Sequence, residues 1–276
     1  MNLETDPSLI FLDLGPKSGR RRIAVRQVPG CGPGLVWLGG LKSDMKGTKA
    51  QALADWAATN RRAFIRFDYS GHGESSGDFT DGTIGQWLKD ALAVFDAFCR
   101  GPQILIGSSM GAWIALLLVR ALRQRQASEA TVAGLVLIAP AVDFTEVLMW
   151  QQFPRKVKRE IEEKGFWERP SAYSEEPYRI TKRLIDEGRN HLLLGDTVET
   201  GCPVRILQGV KDPDVPWNHA VELVSRCARD DVVLTLIKDG DHRLSRPEDI
   251  ERLLRNVEEI SGDIQTADTA DSKPDA

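Results

Sequence analysis

Residues 103–122 read QILIGSSMGAWIALLLVRAL. A short run that is apolar throughout meets a tight glycine-bounded turn and then, without a spacer, a longer apolar stretch at helical spacing. A strand feeding directly into a buried helix is the hallmark of a sheet covered on both faces. The same rhythm recurs along the chain. Strands are predicted at 8–14, 21–28, 35–38, 63–68, 103–107, 132–140, 204–209 and 231–238. Helices are predicted at 46–59, 87–99, 110–122, 218–228 and 247–260. Alternation of this kind predicts an α/β fold with a mostly parallel, doubly wound sheet. The first two strands, joined through 15–19, predict a hairpin that makes the N-terminal edge antiparallel.

Residues 141–200 interrupt the alternation. Met149, Trp150, Phe153, Val157 and Ile161 form an apolar stripe, with Pro154 breaking it or starting a second helix. A further helix is predicted near 177–188. The outer positions are charged, so 141–200 is predicted to be a helical cap over a core made of 1–140 and 201–260. The polar stretch 261–276 is expected to be disordered.

Composition narrows the functional classes. The 36 basic and 40 acidic residues give a formal charge of -4, which does not suggest a nucleic-acid or anionic-membrane binder. No apolar window reaches the roughly eighteen residues of a spanning helix. Cys31, Cys99, Cys202 and Cys227 show no metal-binding spacing and are expected as reduced, mostly buried thiols. The N-terminal stretch carries neither a secretory nor a transit pattern, so a cytoplasmic location is expected.

The turn at 107–111 is a G-x-S-x-G motif. At a strand-to-helix junction it pushes the Ser109 hydroxyl out at the C-terminal edge of the sheet, beside free helix N–H groups. Ser108 occupies the x position, where its side chain points elsewhere. A serine nucleophile needs a base. Of His72, His191, His219 and His242, only His242 follows the last predicted strand, from which it can reach a central strand end. The orienting carboxylate is sought after strand 204–209. There Asp212 is favoured over Asp214, whose ordinary role would be a turn or helix cap. Asp239 and Asp241 stand too near His242 in the chain and are read as shaping its loop. Two backbone donors are predicted for an oxyanion, Met110 N–H after the nucleophile and Leu41 N–H after Gly39-Gly40. His72 and the rest of 70–77 are read as support beside the site. The tryptophans are read as packing, with one or two available to an acyl pocket, and Arg243 as pairing with Glu248 or Asp249 or contacting an anionic leaving group.

The order Ser109, Asp212, His242 resembles that of the α/β-hydrolase superfamily over about residues 8–260. The stretches LGGLKSDMKGTKA, AFIRFDYSGHGESSG, GPQILIGSSMGAW, PSAYSEE, DPDVPW and DHRLSRPEDI narrow the likeness further. They resemble the branch of mitochondrial palmitoyl-protein thioesterases and acyl-glucuronide esterases. The resemblance implies a Ser109–Asp212–His242 triad and oxyanion donors at Leu41 and Met110. It further implies ester or thioester hydrolysis through a serine acyl-enzyme, with no metal or organic cofactor. The substrate is expected to be a small molecule or an acylated protein. The absence of a transit pattern departs from that branch and is read as a bacterial relative. Two alternatives stand beside this: a lactonase using the same residues, and a non-catalytic ligand-binding protein on the same fold. Oligomeric state has no signature in the sequence.

Overall fold

The computed structural model describes residues 8–15, 20–125, 129–170, 177–227 and 231–271. The chain begins with β1 (Leu9–Leu14), β2 (Arg21–Val28) and β3 (Cys31–Leu38), followed by α1 (Thr48–Thr59) and β4 (Arg62–Phe67). Next come α2 (Ile84–Phe98), β5 (Gly101–Ser108), α3 (Met110–Arg123) and β6 (Ala130–Ile138). Between β6 and the next sheet strand lie a π-helical turn (Thr145–Trp150), α4 (Arg155–Lys164), a hairpin of β7 (Phe166–Arg169) and β8 (Tyr178–Thr181), and α5 (Lys182–Gly188). The chain closes with β9 (Val204–Gly209), α6 (Trp217–Arg226), β10 (Val232–Ile237) and α7 (Pro247–Asp271).

Eight strands form one sheet in the order β1-β2-β4-β3-β5-β6-β9-β10. β2 runs antiparallel to both β1 and β4, and every other pairing is parallel. The antiparallel edge is as the sequence predicts; of its connection, 16–19 lie outside the described residues. Alternate side chains feed two cores, because successive residues of a strand face opposite sides. Val36, Leu38, Leu105, Leu135 and Leu137 meet α2, α3 and α6 on one face. Leu35, Trp37, Ile104, Ile106 and Val136 meet α1 and α7 on the other.

Several boundaries differ from the sequence expectation, each for a physical reason. β3 starts at Cys31, because the chain pairs with Arg62 before an irregularity preceding Leu35. α2 starts at Ile84, where Thr83 caps it by accepting the Gln86 N–H at 3.2 Å. The stripe at 149–161 is broken where the sequence predicts. It divides at Pro154, with Gln151 N–H reaching back five residues to the Glu146 carbonyl at 2.9 Å. The start of the helix predicted near 177 is a strand, because Tyr178–Thr181 pairs antiparallel with Phe166–Arg169. Helix begins only after Thr181, whose hydroxyl accepts the Leu184 N–H. PSAYSEE falls almost wholly outside the described residues. α7 continues to Asp271, past the point where a disordered tail was expected. Ile260 and Ile264 carry its apolar face onward against the core. The last five residues lie outside the described ones. Of the four free cysteines, Cys99 and Cys202 are buried, Cys227 is half-buried and Cys31 is exposed. Burial pushes the Cys99 thiol up to about 12.

Leu135 is fully buried at the centre of the sheet, whereas Leu236 on the edge strand is 43% exposed. Leu135→Ala is expected to cost about 2–5 kcal/mol in urea unfolding. Leu236→Ala should stay within about 0.5 kcal/mol.

Candidate active site

Ser109 sits between β5 and α3 with φ 55 and ψ -118, a conformation that side-chain-bearing residues avoid. Its N–H donates to the Ile138 carbonyl at 2.8 Å, and its carbonyl accepts the Ala112 N–H at 3.0 Å. The flanking glycines are needed for close approach. A Cβ on Gly111 would collide with the carbonyls of Leu38 and Gly39, and one on Gly107 with the carbonyl of Gly111. The chain at the end of β3 thereby lies directly against the first turn of α3, and a Cβ added to Gly40 would stand 3.5 Å from the Ser109 Cβ.

His242 comes from the loop after β10. Its Nε2 lies 3.1 Å from Ser109 Oγ and its Nδ1 2.8 Å from Asp212 Oδ2. A carboxylate oxygen accepts, so Nδ1 carries a hydrogen and Nε2 of the neutral ring faces the hydroxyl with a lone pair. Asp212, after β9, has a fully buried side chain. Its second oxygen accepts the N–H groups of Asp214 and Val215, both at 2.8 Å. The Gln208 amide also reaches Oδ2 at 3.3 Å, and donates to the carbonyls of Gly209 and Val215 at 3.0 Å. These donors are what make a buried carboxylate tolerable. Asp214 points outward and pairs with Arg169 of β7 at 3.3 Å.

The other histidines stand elsewhere. His191 Nε2 meets Glu187 at 2.8 Å, and His219 Nε2 donates to the Val142 carbonyl at 2.9 Å. Burial lowers the pKa of His219, and that of His72 to about 4. Asp239 pairs with Arg246, and Asp241 accepts the Leu244 N–H at 2.9 Å. The carboxylates of Glu248 and Asp249 both meet Arg246.

Ser109, Met110, Leu41 and His242 all line one open cleft of about 840 Å³. One wall is apolar, with Ala141, Phe144, Leu148, Met149 and Val215. The rest of the lining is more polar and includes Lys42, Ser43, Asp44, Thr48, Lys49, Arg169, Asp214, Arg243 and Ser245. Of the predicted stripe only Met149 reaches the cleft. Phe153 packs edge-on against Trp167, centroids 5.2 Å apart, and Trp150 lies beneath Lys158 and Arg189. Trp37 is the tryptophan that lines the cleft.

Two residues escaped the sequence. Gln208 lies within a strand, where a polar residue carries no signal of its role. Lys49, on α1, reads as solvent-facing, yet its Nζ donates to the Arg243 carbonyl and lies 3.3 Å from Ser245 Oγ. Burial first, and the Arg243 charge second, bring it down to about 8. Among the described residues, Asp212, Asp214 and His242 bring three potential ligand atoms within 4.8 Å. A cation there would compete with the hydrogen bonds that Asp212 already accepts.

Residues 28–253 match the alpha/beta hydrolase family. The chain is 40% identical over 245 residues to the bovine (Bos taurus) "Palmitoyl-protein thioesterase ABHD10, mitochondrial", covering 88% of this chain and 78% of that one. A crystal structure of a protein from Agrobacterium vitis S4 is 47% identical, with TM-score 0.90, covering 92% of this chain and 98% of that one. Mouse alpha/beta hydrolase domain-containing protein 10 is 35% identical, with TM-score 0.82, over 93% and 99% of the two chains. The curated relatives are named as mitochondrial, which overturns the cytoplasmic expectation. That expectation rests on the lack of a secretory or transit pattern in the N-terminal stretch. Among the described residues no helix is long and apolar enough to cross a membrane. With the sheet order, the strand-to-helix turn at Ser109 and these matches together, the chain belongs to the alpha/beta hydrolase family.

Proposed function

We propose that this chain is a serine hydrolase of carboxylic esters or thioesters, working through an acyl-enzyme on Ser109. The observation that supports it most is the hydrogen-bonded line from Ser109 Oγ through His242 to Asp212 at the floor of an open cleft. His242 Nε2 takes the Ser109 proton as Oγ attacks the acyl carbonyl. Asp212 holds the ring in the required tautomer and stabilises the imidazolium that forms. The Leu41 and Met110 N–H groups receive the developing oxyanion, aided by the positive end of α3. The leaving alcohol or thiol takes the proton from His242. Water then attacks the acyl-enzyme by the same route in reverse, releasing the acid and restoring Ser109. None of these steps calls on a cofactor.

The apolar wall suits an acyl chain and the polar wall a leaving group. Together with relatives named as palmitoyl-protein thioesterases, this favours medium to long acyl thioesters, on small molecules or on acylated proteins. In this reading 141–200 acts as a cap on a core of 1–140 and 201–260, supplying the acyl wall through Phe144, Leu148 and Met149. Labelling with a fluorophosphonate probe and turnover of graded esters and thioesters test the reading. A folded protein that neither labels nor turns over would be a binding protein instead.

Ser109→Ala and His242→Ala are each expected to lower kcat at least about a thousandfold with the fold intact by circular dichroism, and the double variant little further. Asp212→Asn should be crippling, since the amide favours the wrong tautomer, whereas Asp214→Asn should be mild. A dead Asp214 variant beside an active Asp212 variant would reverse the assignment.

Chain-length preference tests the wall. Met149→Trp should reduce kcat/KM for hexadecanoyl thioesters about tenfold or more while sparing acetyl esters, because only the long chain reaches position 149. Phe153→Ala should leave the length profile unchanged. An equal loss on all chain lengths for Met149→Trp would place the acyl pocket elsewhere.

A further inference from the structure

His72 takes no part in the line from Ser109 to Asp212, yet it is held as tightly as any residue of the site. Its ring is 4% exposed and packs edge-on against Tyr69, Phe79 and Trp87, with centroids 5.2–5.8 Å away. Nδ1 lies 3.2 Å from the Ser70 carbonyl, which also accepts the Trp87 indole N–H at 3.1 Å. A carbonyl can only accept, so Nδ1 bears the hydrogen. Nε2 is left with a lone pair, and the Lys42 backbone N–H donates to it at 3.0 Å. One donor and one acceptor thus specify a single neutral tautomer. Burial lowers the ring to about 4, so it remains neutral, and able to accept, at neutral pH.

Lys42 is an unusual partner. Its φ is 57, in the region that favours glycine. It is the third residue of a turn closed by Ser43 N–H donating to the Gly40 carbonyl at 3.1 Å. A positive φ at the third position alone is the type II turn. A lysine is better suited to the type I alternative, which keeps the same closing bond but flips the middle peptide and turns the Lys42 N–H to the other side. Only the flip state seen here can reach His72. The second residue of the turn is Leu41, which lines the same cleft as Gly40 and Ser109.

We infer that His72 is a positioning residue: by accepting the Lys42 N–H it anchors the Gly40–Ser43 turn in its type II form and so keeps the loop that carries the Leu41 N–H in place beside Ser109. This rests on the proposed reading of Leu41 as an oxyanion donor. The ring does not touch substrate and moves no proton. It makes a strained backbone state the stable one, before substrate arrives.

Glutamine and asparagine separate this from a purely structural role. A Gln side chain carries its amide to about the place of Nε2, and Asn stops at about the place of Nδ1. His72→Asn and His72→Phe are expected to lower kcat for p-nitrophenyl butyrate about tenfold or more, with KM changed less than about threefold. Inhibition by butylboronic acid, whose serine adduct places an oxygen in the oxyanion site, should weaken by the same factor. His72→Gln should recover kcat to within about threefold of the original. Should His72→Phe not fold, the Asn and Gln pair carries the comparison. A folded Asn variant with unchanged kcat, or a loss that Gln does not repair, overturns the inference. Amide exchange at Lys42, read by NMR, is independent of turnover. It should be slow in the original and the Gln variant and about tenfold or more faster in the Asn variant. Equal exchange in all three overturns the inference even if the esterase reading stands. If the unaltered chain turns over no ester, the esterase reading fails by itself, and Lys42 exchange still decides what His72 does to the turn.

Discussion

The backbone of Ser109 is the constraint on which the rest of the cleft depends. A non-glycine residue at φ 55, ψ -118 costs on the order of 1–3 kcal/mol. It persists because both of its sides are immovable. β5 is buried on both faces through Ile104, Leu105 and Ile106, and α3 is buried from Met110 to Val119. A helix apolar on nearly every side has no solvent face toward which to shift, so the strain cannot relax by tilting it. The glycines at 107 and 111 then decide how near the neighbouring chain can come. Without a Cβ at 111, the end of β3 lies against the first turn of α3, and Leu41 is carried to the edge where Ser109 emerges.

Parallel strands bring the remaining groups to the same edge. β3, β5, β9 and β10 all point their C-terminal ends one way, so the loops after them meet although their residues are far apart in the chain. Each loop is then stiffened by its own polar contacts. Asp212 is ringed by two backbone N–H groups and the Gln208 amide. The His242 loop is gripped by Lys49 from α1 and turned by Asp241. The Leu41 turn is held by His72. The groups around Ser109 are thus placed by buried hydrogen bonds whose loss would leave unpaired polar atoms, a costly outcome at low dielectric.

The sheet was legible because its inner strands carry near-continuous apolar runs, as in Leu35–Leu38, Ile104–Ile106 and Leu135–Ile138, a pattern that a doubly covered sheet produces. Ser109 was legible because its motif falls on a strand-to-helix junction, and the separation of Asp212 from Asp214 by the glycine that ends β9. What was not legible is what distant chain segments do to a local pattern. Lys49 looks like an ordinary helix lysine until the loop at 243–245 folds over it. Gln208 looks like a weak strand residue until 212–215 returns to it. The stripe at 149–161 reads as the apolar underside of a cap, broken at Pro154. Trp150 and Phe153 instead meet Arg189 and Trp167, from segments that the periodicity of 149–161 knows nothing about. The cytoplasmic expectation failed for a different reason. It read meaning into a missing pattern at one end of the chain.

The inserted segment between β6 and β9 is tied together near its two ends, and this fixes the apolar lining of the cleft. Asp143, at the start of the segment, is buried and accepts the N–H groups of Leu193 and Leu194, near its end, at 2.9–3.0 Å. Gly188 lies so close to Thr145 that a Cβ there would strike the threonine side chain. Phe144 and Met149 hang from this clamp, so the apolar wall is as fixed as the core. The hairpin of β7 and β8 is held to the cleft differently. Arg169 pairs with half-exposed Asp214, and Lys42 Nζ stands 5.3 Å from the Tyr178 ring centroid. Such half-exposed charge contacts contribute about 0–1 kcal/mol each and weaken with salt. The clamped apolar side is therefore the one that would measure an acyl chain.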